Sequence, residues 1–323
     1  MLYPLTFHPI FKERVWGGRN LERLYQKALP PKAPIGESWE ITDRPEGVSV
    51  IANGPLAGKT LRWLMEHHRE GLLGPSGSPA SFFPLLIKIL DAQETLSVQV
   101  HPPATAAAAL GGEPKTEMWY IAEAAPGAEL FAGWQNGVTR DQVERNIQDG
   151  TIAASIHRMK VKTGDALFLP SGRIHAIGAG NVIFEIQQNS DTTYRVFDWN
   201  RAGLDGKPRQ LHIPEALASI DFHDVEPPLI QSKYSRNEIM KVRYIVADSL
   251  FRVDACQVKR GQRFYLESQS VQIVGLLAGR LAVGSGEQEI FLKPGQFVLL
   301  PAELGRTVLK AGSQVEFLHV QAG

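Results

Sequence analysis

The chain has 323 residues, 43% of them hydrophobic and 21% charged; this is globular usage, and at roughly 100–200 residues per domain it predicts two domains. Lys and Arg number 34, as do Asp and Glu, so the basic excess that a nucleic-acid binder uses against phosphates is missing, and no run approaches the ~18 apolar residues of a membrane-spanning helix. A single cysteine, Cys256, excludes an internal disulfide framework, and the start, with Lys12, Glu13 and Arg14, is too charged for a secretory leader; a soluble cytoplasmic protein without nucleic-acid or membrane partners is expected.

In chain order, Asn20 is expected to cap a helix over LERLYQKAL that Pro30 and Pro31 end. Strands SWEITD and GVSVIANG follow, then a helix from Thr60 through LRWLMEHHREGLLG with Leu61, Leu64 and Met65 at helical spacing. Strands FPLLIKIL and TLSVQVHP come next, and a short helix from Ala104 to Leu110 opened by prolines. After the strand EMWYIAEA, Thr139-Arg140-Asp141-Gln142 is a capping box whose helix ends at Gly150. DALFLP, NVIFEIQQ, TYRVFDW, VQIVGLLAGRLAVG, QFVLLP and TVLKAG complete the strands. With 30 glycines and 21 prolines cutting the chain, short strands dominate, and a mainly β sandwich or barrel with a minority of helices is predicted.

Gly164-Asp-Ala-Leu-Phe-Leu-Pro170 returns as Gly295-Gln-Phe-Val-Leu-Leu-Pro301, each with a lysine (Lys162, Lys293) two residues ahead. The pair reads as one strand repeated in two similar barrels, with His175 following the first copy and no histidine following the second. Pro227-Pro228 and the polar QSKYSRNE stretch set the expected boundary: a first domain over 1–230 that carries the helices, and a second over 231–323 without metal ligands.

Gln99 and His101 stand two apart and share one face of a strand, with Val98 and Val100 on the other; a barrel strand lining a polar interior has this pattern, as does a plain strand-end histidine. Gly164, Pro170, Gly172 and His175 fit G-x5-P-x-G-x2-H, which resembles the second signature motif of the cupins, although Ala179 stands where that motif has Asn and the paired histidines of the first motif are reduced to Gln99-x-His101. A tight Pro/Gly turn would aim the imidazole into the barrel mouth. Glu117 heads an apolar strand with Lys115 on the same face, and a carboxylate with two imidazoles is a common catalytic metal set with an open position. Lys88 is a lone charge inside an apolar strand, set to meet a phosphate or a carboxylate.

FPLLIKILDAQETLSVQVHPP, KTEMWYI, GDALFLPSGRIHAIGAG and QQNSDTTYRVFDWNR, in this order, resemble type I mannose-6-phosphate isomerase in its short bacterial form, with VWGG and IGESWEITD extending the likeness to the N-terminus. The resemblance implies two jelly-roll-type cupin barrels and one zinc ion per chain, held by Gln99, His101, Glu117 and His175. It also implies interconversion of mannose 6-phosphate and fructose 6-phosphate through a cis-enediolate. Lys115 matches a lysine of the family's site, and Asp191 and Arg195 match the Asp and Arg beside the substrate; Lys88, Trp16 and Glu37 are expected along the substrate pocket. Arg195 stays protonated and makes a poor base, or is a strand arginine paired with Asp191 or Asp198; the base is left between Lys115 and Asp191. A non-catalytic sugar-phosphate-binding cupin and a metal-dependent oxygenase are the other readings.

Overall fold

Strands cut short by Gly and Pro have to bury their apolar faces against other strands, and here they do so in antiparallel pairs. The computed structural model describes residues 1–75, 81–267, 269–284 and 289–323. A six-stranded sheet, ordered Ile10–Gly18, Ile35–Ile41, Leu85–Ala92, Asn181–Gln188, Glu117–Ala124, Ala166–Leu169, faces a five-stranded one, ordered Tyr194–Phe197, Val98–Val100, His175–Ile177, Glu129–Trp134, Ile156–Lys160. A second pair repeats the plan: Ser235–Arg236, Met240–Ala247, Phe251–Val258, Val315–Ala322, Gln272–Ala278, Phe297–Leu300 against Arg263–Glu267, Arg306–Ala311, Leu281–Val283, Ile290–Leu292. The fold is mainly β, two jelly-roll-type barrels decorated by helices.

The two six-stranded sheets back onto each other. Along Leu85–Ala92, Ile87 and Ile89 join a core cluster that reaches Phe251, Leu318 and Val320 of the second pair, whereas Leu90 and Ala92 turn into the first barrel. Phe184 packs on Phe297 across this seam with ring centroids 5.3 Å apart. The N-terminal segment crosses it too, as Leu5 exchanges two 2.8 Å backbone hydrogen bonds with Leu299.

The helices are shorter than their patterns predict. Asn20 lies inside the first one, Asn20–Tyr25, since its amide groups go to Asp91 at 2.7 and 3.1 Å. The helix stops at Gln26 (φ 54°), and the chain then leaves to bury Lys27 against Glu40 at 2.7 Å. Thr60 does cap Leu61–His67, accepting from the Trp63 amide at 3.0 Å, but His68 (φ −136°) breaks the run before Arg69–Leu73. The alanine helix covers Ala104–Ala107, and Thr139 caps Arg140–Gln148. Ile213–Ser219, signalled only by Pro214 in its first turn, escaped the periodicity.

The internal repeat is a structural equivalence. Ala166–Leu169 and Phe297–Leu300 are each the last strand of a six-stranded sheet. Both follow a glycine at positive φ (Gly164 90°, Gly295 78°) whose turn closes through Lys162 and Asp165 or Lys293 and Gln296 at 2.9 Å. Leu169 pairs with Glu117, and Leu300 with Gln272. Where the first barrel has a carboxylate, the second therefore has an amide, hydrogen-bonded at 2.9 Å to the half-buried His319.

Phe184→Ala is expected to cost about 3–5 kcal/mol and to leave one cooperative denaturant transition, because its cluster belongs to both barrels; two separate transitions would show independent units. Burial, then Arg252, lowers the His319 pKa to about 4. The unfolded chain therefore takes up a proton that the folded chain refuses between pH 6.5 and 4, and stability falls as pH drops through that window. His319→Gln is expected to flatten this fall by up to about 1.4 kcal/mol per pH unit, read from denaturation midpoints between pH 5 and 7.

Candidate active site

One turn gathers three side chains. Gly172, at φ 95°, donates its amide to the His101 carbonyl at 2.8 Å, a backbone conformation that favours glycine. Ser171 accepts the Lys115 amide at 3.0 Å and meets Thr116 at 3.2 Å, just ahead of Glu117. Arg173 lends its carbonyl to His175 Nδ1 at 2.9 Å, and the Thr192 carbonyl does the same for His101 Nδ1 at 2.8 Å. Both rings thus carry a proton on Nδ1, and in the neutral form both Nε2 atoms face inward as acceptors.

These Nε2 atoms flank Glu117, His101 at 3.5 Å from Oε2 and His175 at 3.4 Å from Oε1. The three residues are buried, and their donor atoms lie within 4.8 Å of one another. Both Glu117 oxygens and His101 Nε2 lack a hydrogen bond among the described residues, which is what a metal-ligand set looks like without its ion. The cluster fits a metal ion, and the Gln99 amide, 3.3 Å from His175 Nε2, stands beside it. Burial alone would raise the Glu117 carboxyl, yet Lys115, 3.3 Å away, and the two histidines hold it well below the usual range. Burial followed by the Lys115 charge pushes His101 down to about 3, so the ring stays an acceptor at neutral pH.

Beside the cluster opens a cavity of about 580 Å³, lined by Lys88, Lys115, Asp191 and Arg195 among others. Its two walls are rows of paired residues. Across one sheet Trp39, Lys88, Glu185 and Trp119 stand side by side; across the other, Arg195, Gln99 and His175. Lys88 meets carboxylates, Glu185 at 3.5 Å and Asp191 at 3.7 Å. Burial lowers its pKa, but Glu37, Glu185 and Asp191 outweigh this and raise it. Glu37 takes Arg14 at 2.8 Å and Trp39 Nε1 at 2.7 Å; burial works against its ionisation, and Lys88 and Arg14 nevertheless bring it to about 2. Trp16 closes the wall.

All the residues singled out in the sequence meet at this one place, Gln99, His101, Glu117 and His175 around the cluster and Lys88, Lys115, Asp191, Arg195, Trp16 and Glu37 around the cavity. Arg195 pairs with neither Asp191 nor Asp198; it donates to Ser97 Oγ at 3.3 Å and the Gln210 carbonyl at 2.9 Å. The sequence reading missed Arg14, Glu185, Arg209 and His212, which also line the cavity. Glu185 carried the signal that promoted Lys88, a lone charge in an apolar strand; burial, then the Glu117 charge, raises its pKa. Arg209 and His212 lie in a polar stretch with no pattern to read.

A jelly-roll barrel whose interior can hold a metal ion, opening on a cavity of interleaved cations and carboxylates, defines a cupin enzyme. A family model described as phosphomannose isomerase type I, catalytic domain, matches residues 5–123. The chain is 35% identical to mannose-6-phosphate isomerase ManA of Bacillus subtilis, with 98% of this chain and 99% of that protein covered. It is 36% identical to the mannose-6-phosphate isomerase of Streptococcus mutans, with 93% of each covered. The crystal structure of the mannose 6-phosphate isomerase from Bacillus subtilis matches it with a TM-score of 0.90 at 31% identity over 100% of both chains. The chain belongs to the type I phosphomannose isomerase family, and it is an isomerase.

His175→Ala is expected to weaken the binding of one divalent ion by at least 100-fold in calorimetric titration of metal-free protein. Unaltered stoichiometric binding would show that the ion sits elsewhere.

Proposed function

We propose that the chain interconverts mannose 6-phosphate and fructose 6-phosphate, using a zinc ion held by His101, Glu117 and His175 with Gln99 beside them. The observation that carries this reading is the buried set of unbonded donor atoms at the edge of a cavity shared by Lys115, Asp191 and Arg195. The reaction moves a proton between C1 and C2 of the open-chain sugar through a cis-enediolate, so the site has to take up a weakly acidic proton and bear developing negative charge. When bound, zinc supplies Lewis acidity toward the oxygens on those two carbons.

The protein's own groups divide the remaining work. Asp191, with a side chain 34% exposed, and Lys115, against Glu117, carry the proton, a contribution of about 10²–10⁴-fold for a positioned acid or base. Arg195 remains a guanidinium and steadies the enediolate charge. Lys88, held between Glu185 and Asp191, orients the Asp191 carboxylate, and Trp16 and Glu37 bound the sugar. Residues 1–230 carry this chemistry, and residues 231–323 form the supporting barrel. A cytoplasmic enzyme acting on a phosphorylated sugar is consistent with the buried lone thiol of Cys256.

Metal-stripped protein is expected to lose turnover of mannose 6-phosphate in a fructose-6-phosphate-coupled assay and to regain it with zinc. Arg195→Ala is expected to retain the fold and the ion while kcat falls about 10²–10³-fold. Full activity without metal, or loss of the ion in Arg195→Ala, would overturn these assignments. Stoichiometric metal with no isomerase activity would favour a binding module or an oxidative cupin.

A further inference from the structure

The cations around the cavity fall into two groups. Three are matched one to one or better: Lys88 by Glu185 and Asp191, Lys115 by Glu117, and Arg14 by both oxygens of Glu37 at 2.8 and 3.2 Å. The others are less fully paired. Arg209, which lines the cavity, shares one buried carboxylate, Asp198, with Arg201 behind it, at 2.5 Å and 2.9 Å. Arg201 also reaches the exposed Glu94 at 3.5 Å. Arg195 makes no ion pair with a carboxylate among the described residues, and burial followed by the Arg209 charge lowers its pKa.

Hydrogen-bonding capacity is left over at the same rim. Arg209 spends Nε and Nη2 on Asp198, at 2.6 and 2.5 Å, and its Nη1 makes no hydrogen bond among the described residues. His212 is clamped to the Arg195 backbone, donating its amide to the Arg195 carbonyl at 2.8 Å and accepting the Arg195 amide on Nδ1 at 3.3 Å. A ring that accepts at Nδ1 carries its proton on Nε2 when neutral. Both residues line the cavity, and Asp205, a carboxylate on the same segment, turns Oδ1 to the Lys207 amide at 3.0 Å. Position follows from the strand register: His175 pairs with Gln99, Gln99 with Arg195, and the Arg195 backbone holds His212, a line that leads outward from the metal cluster.

We infer that Arg209 and His212 form the subsite that takes the phosphate of the substrate, through Arg209 Nη1 and the His212 Nε2–H, with the reacting carbons toward the His101–Glu117–His175 end. This rests on the sugar-phosphate reading above. A dianion at this rim fills the unused donors beside Arg195, and Asp198 keeps the Arg209 guanidinium fixed in plane to receive it. Distance from the reacting carbons makes the contact one of binding, which the ground state and the transition state share.

The test is calorimetric titration of the purified protein with inorganic phosphate, alongside steady-state kinetics on mannose 6-phosphate, for Arg209→Ala, Arg209→Lys and His212→Gln, with thermal melts to check folding. Arg209→Ala and His212→Gln are each expected to raise the phosphate Kd and the KM by roughly 10- to 100-fold, the scale of one charge-assisted hydrogen bond, with kcat within a few-fold. Arg209→Lys is expected to recover part of the loss. A wild-type protein that does not bind phosphate overturns the subsite, as do variants whose Kd moves less than twofold or whose kcat falls while Kd is unmoved. Phosphate binding that the variants abolish, in a protein without isomerase activity, would keep the subsite and discard the activity.

Discussion

A carboxylate with no hydrogen bond among the described residues, sealed inside a β barrel, is the constraint around which the first half of the molecule is arranged. Removing such an ion from water costs several kcal/mol unless opposite charge or strong donors replace the solvent. Glu117 has Lys115 on one side and two imidazole edges on the other. Neither imidazole turns a donor toward it, because each Nδ1–H is already spent on a backbone carbonyl. The site is therefore built for a cation, with acceptors converging and their orientation fixed from behind.

The means of fixing it are local and few. The turn over Pro170, Ser171 and Gly172 bonds to the His101 carbonyl and to the segment entering Glu117, and it leads directly into His175. Donor side chains from three segments distant in sequence are thus set against each other by three consecutive residues. The same economy governs the far wall, where Lys88 and Glu185 sit opposite each other in register between two tryptophans and turn a costly pair of buried charges into a shared one.

The second barrel shows what the architecture is without the chemistry. It repeats the Gly-to-Pro strand, its turn and its edge position, but Gln272 replaces the carboxylate and bonds the neutral His319. A neutral amide–imidazole pair satisfies itself and needs no ion. Sharing a core cluster with the first barrel, it backs the sheet that carries Lys88, Glu117 and Glu185.

Much of this was legible in the amino-acid sequence. Period-two alternation and Gly/Pro punctuation determined the β class, the repeat marked the two equivalent edge strands, and a motif with specific spacing marked His175. A polar face on an otherwise apolar strand marked Gln99 and His101, because such a face is stable only around something polar. Helix lengths were not legible, since the buried Lys27–Glu40 pair and the Asp91 acceptor lie far from the first helix in sequence and decide where it ends. Nor was the partner of any charge: Lys88 was equally set for a phosphate or a carboxylate until strand register placed Glu185 across from it. The grouping of guanidinium groups at Arg195, Arg201 and Arg209 exists only once the segment over 198–212 returns to the cavity rim. Residue types and their local spacing are properties of the chain itself. Which charge is neutralised and which is left for a ligand depends on distances of 3–4 Å between residues many positions apart, and only the tertiary structure decides those.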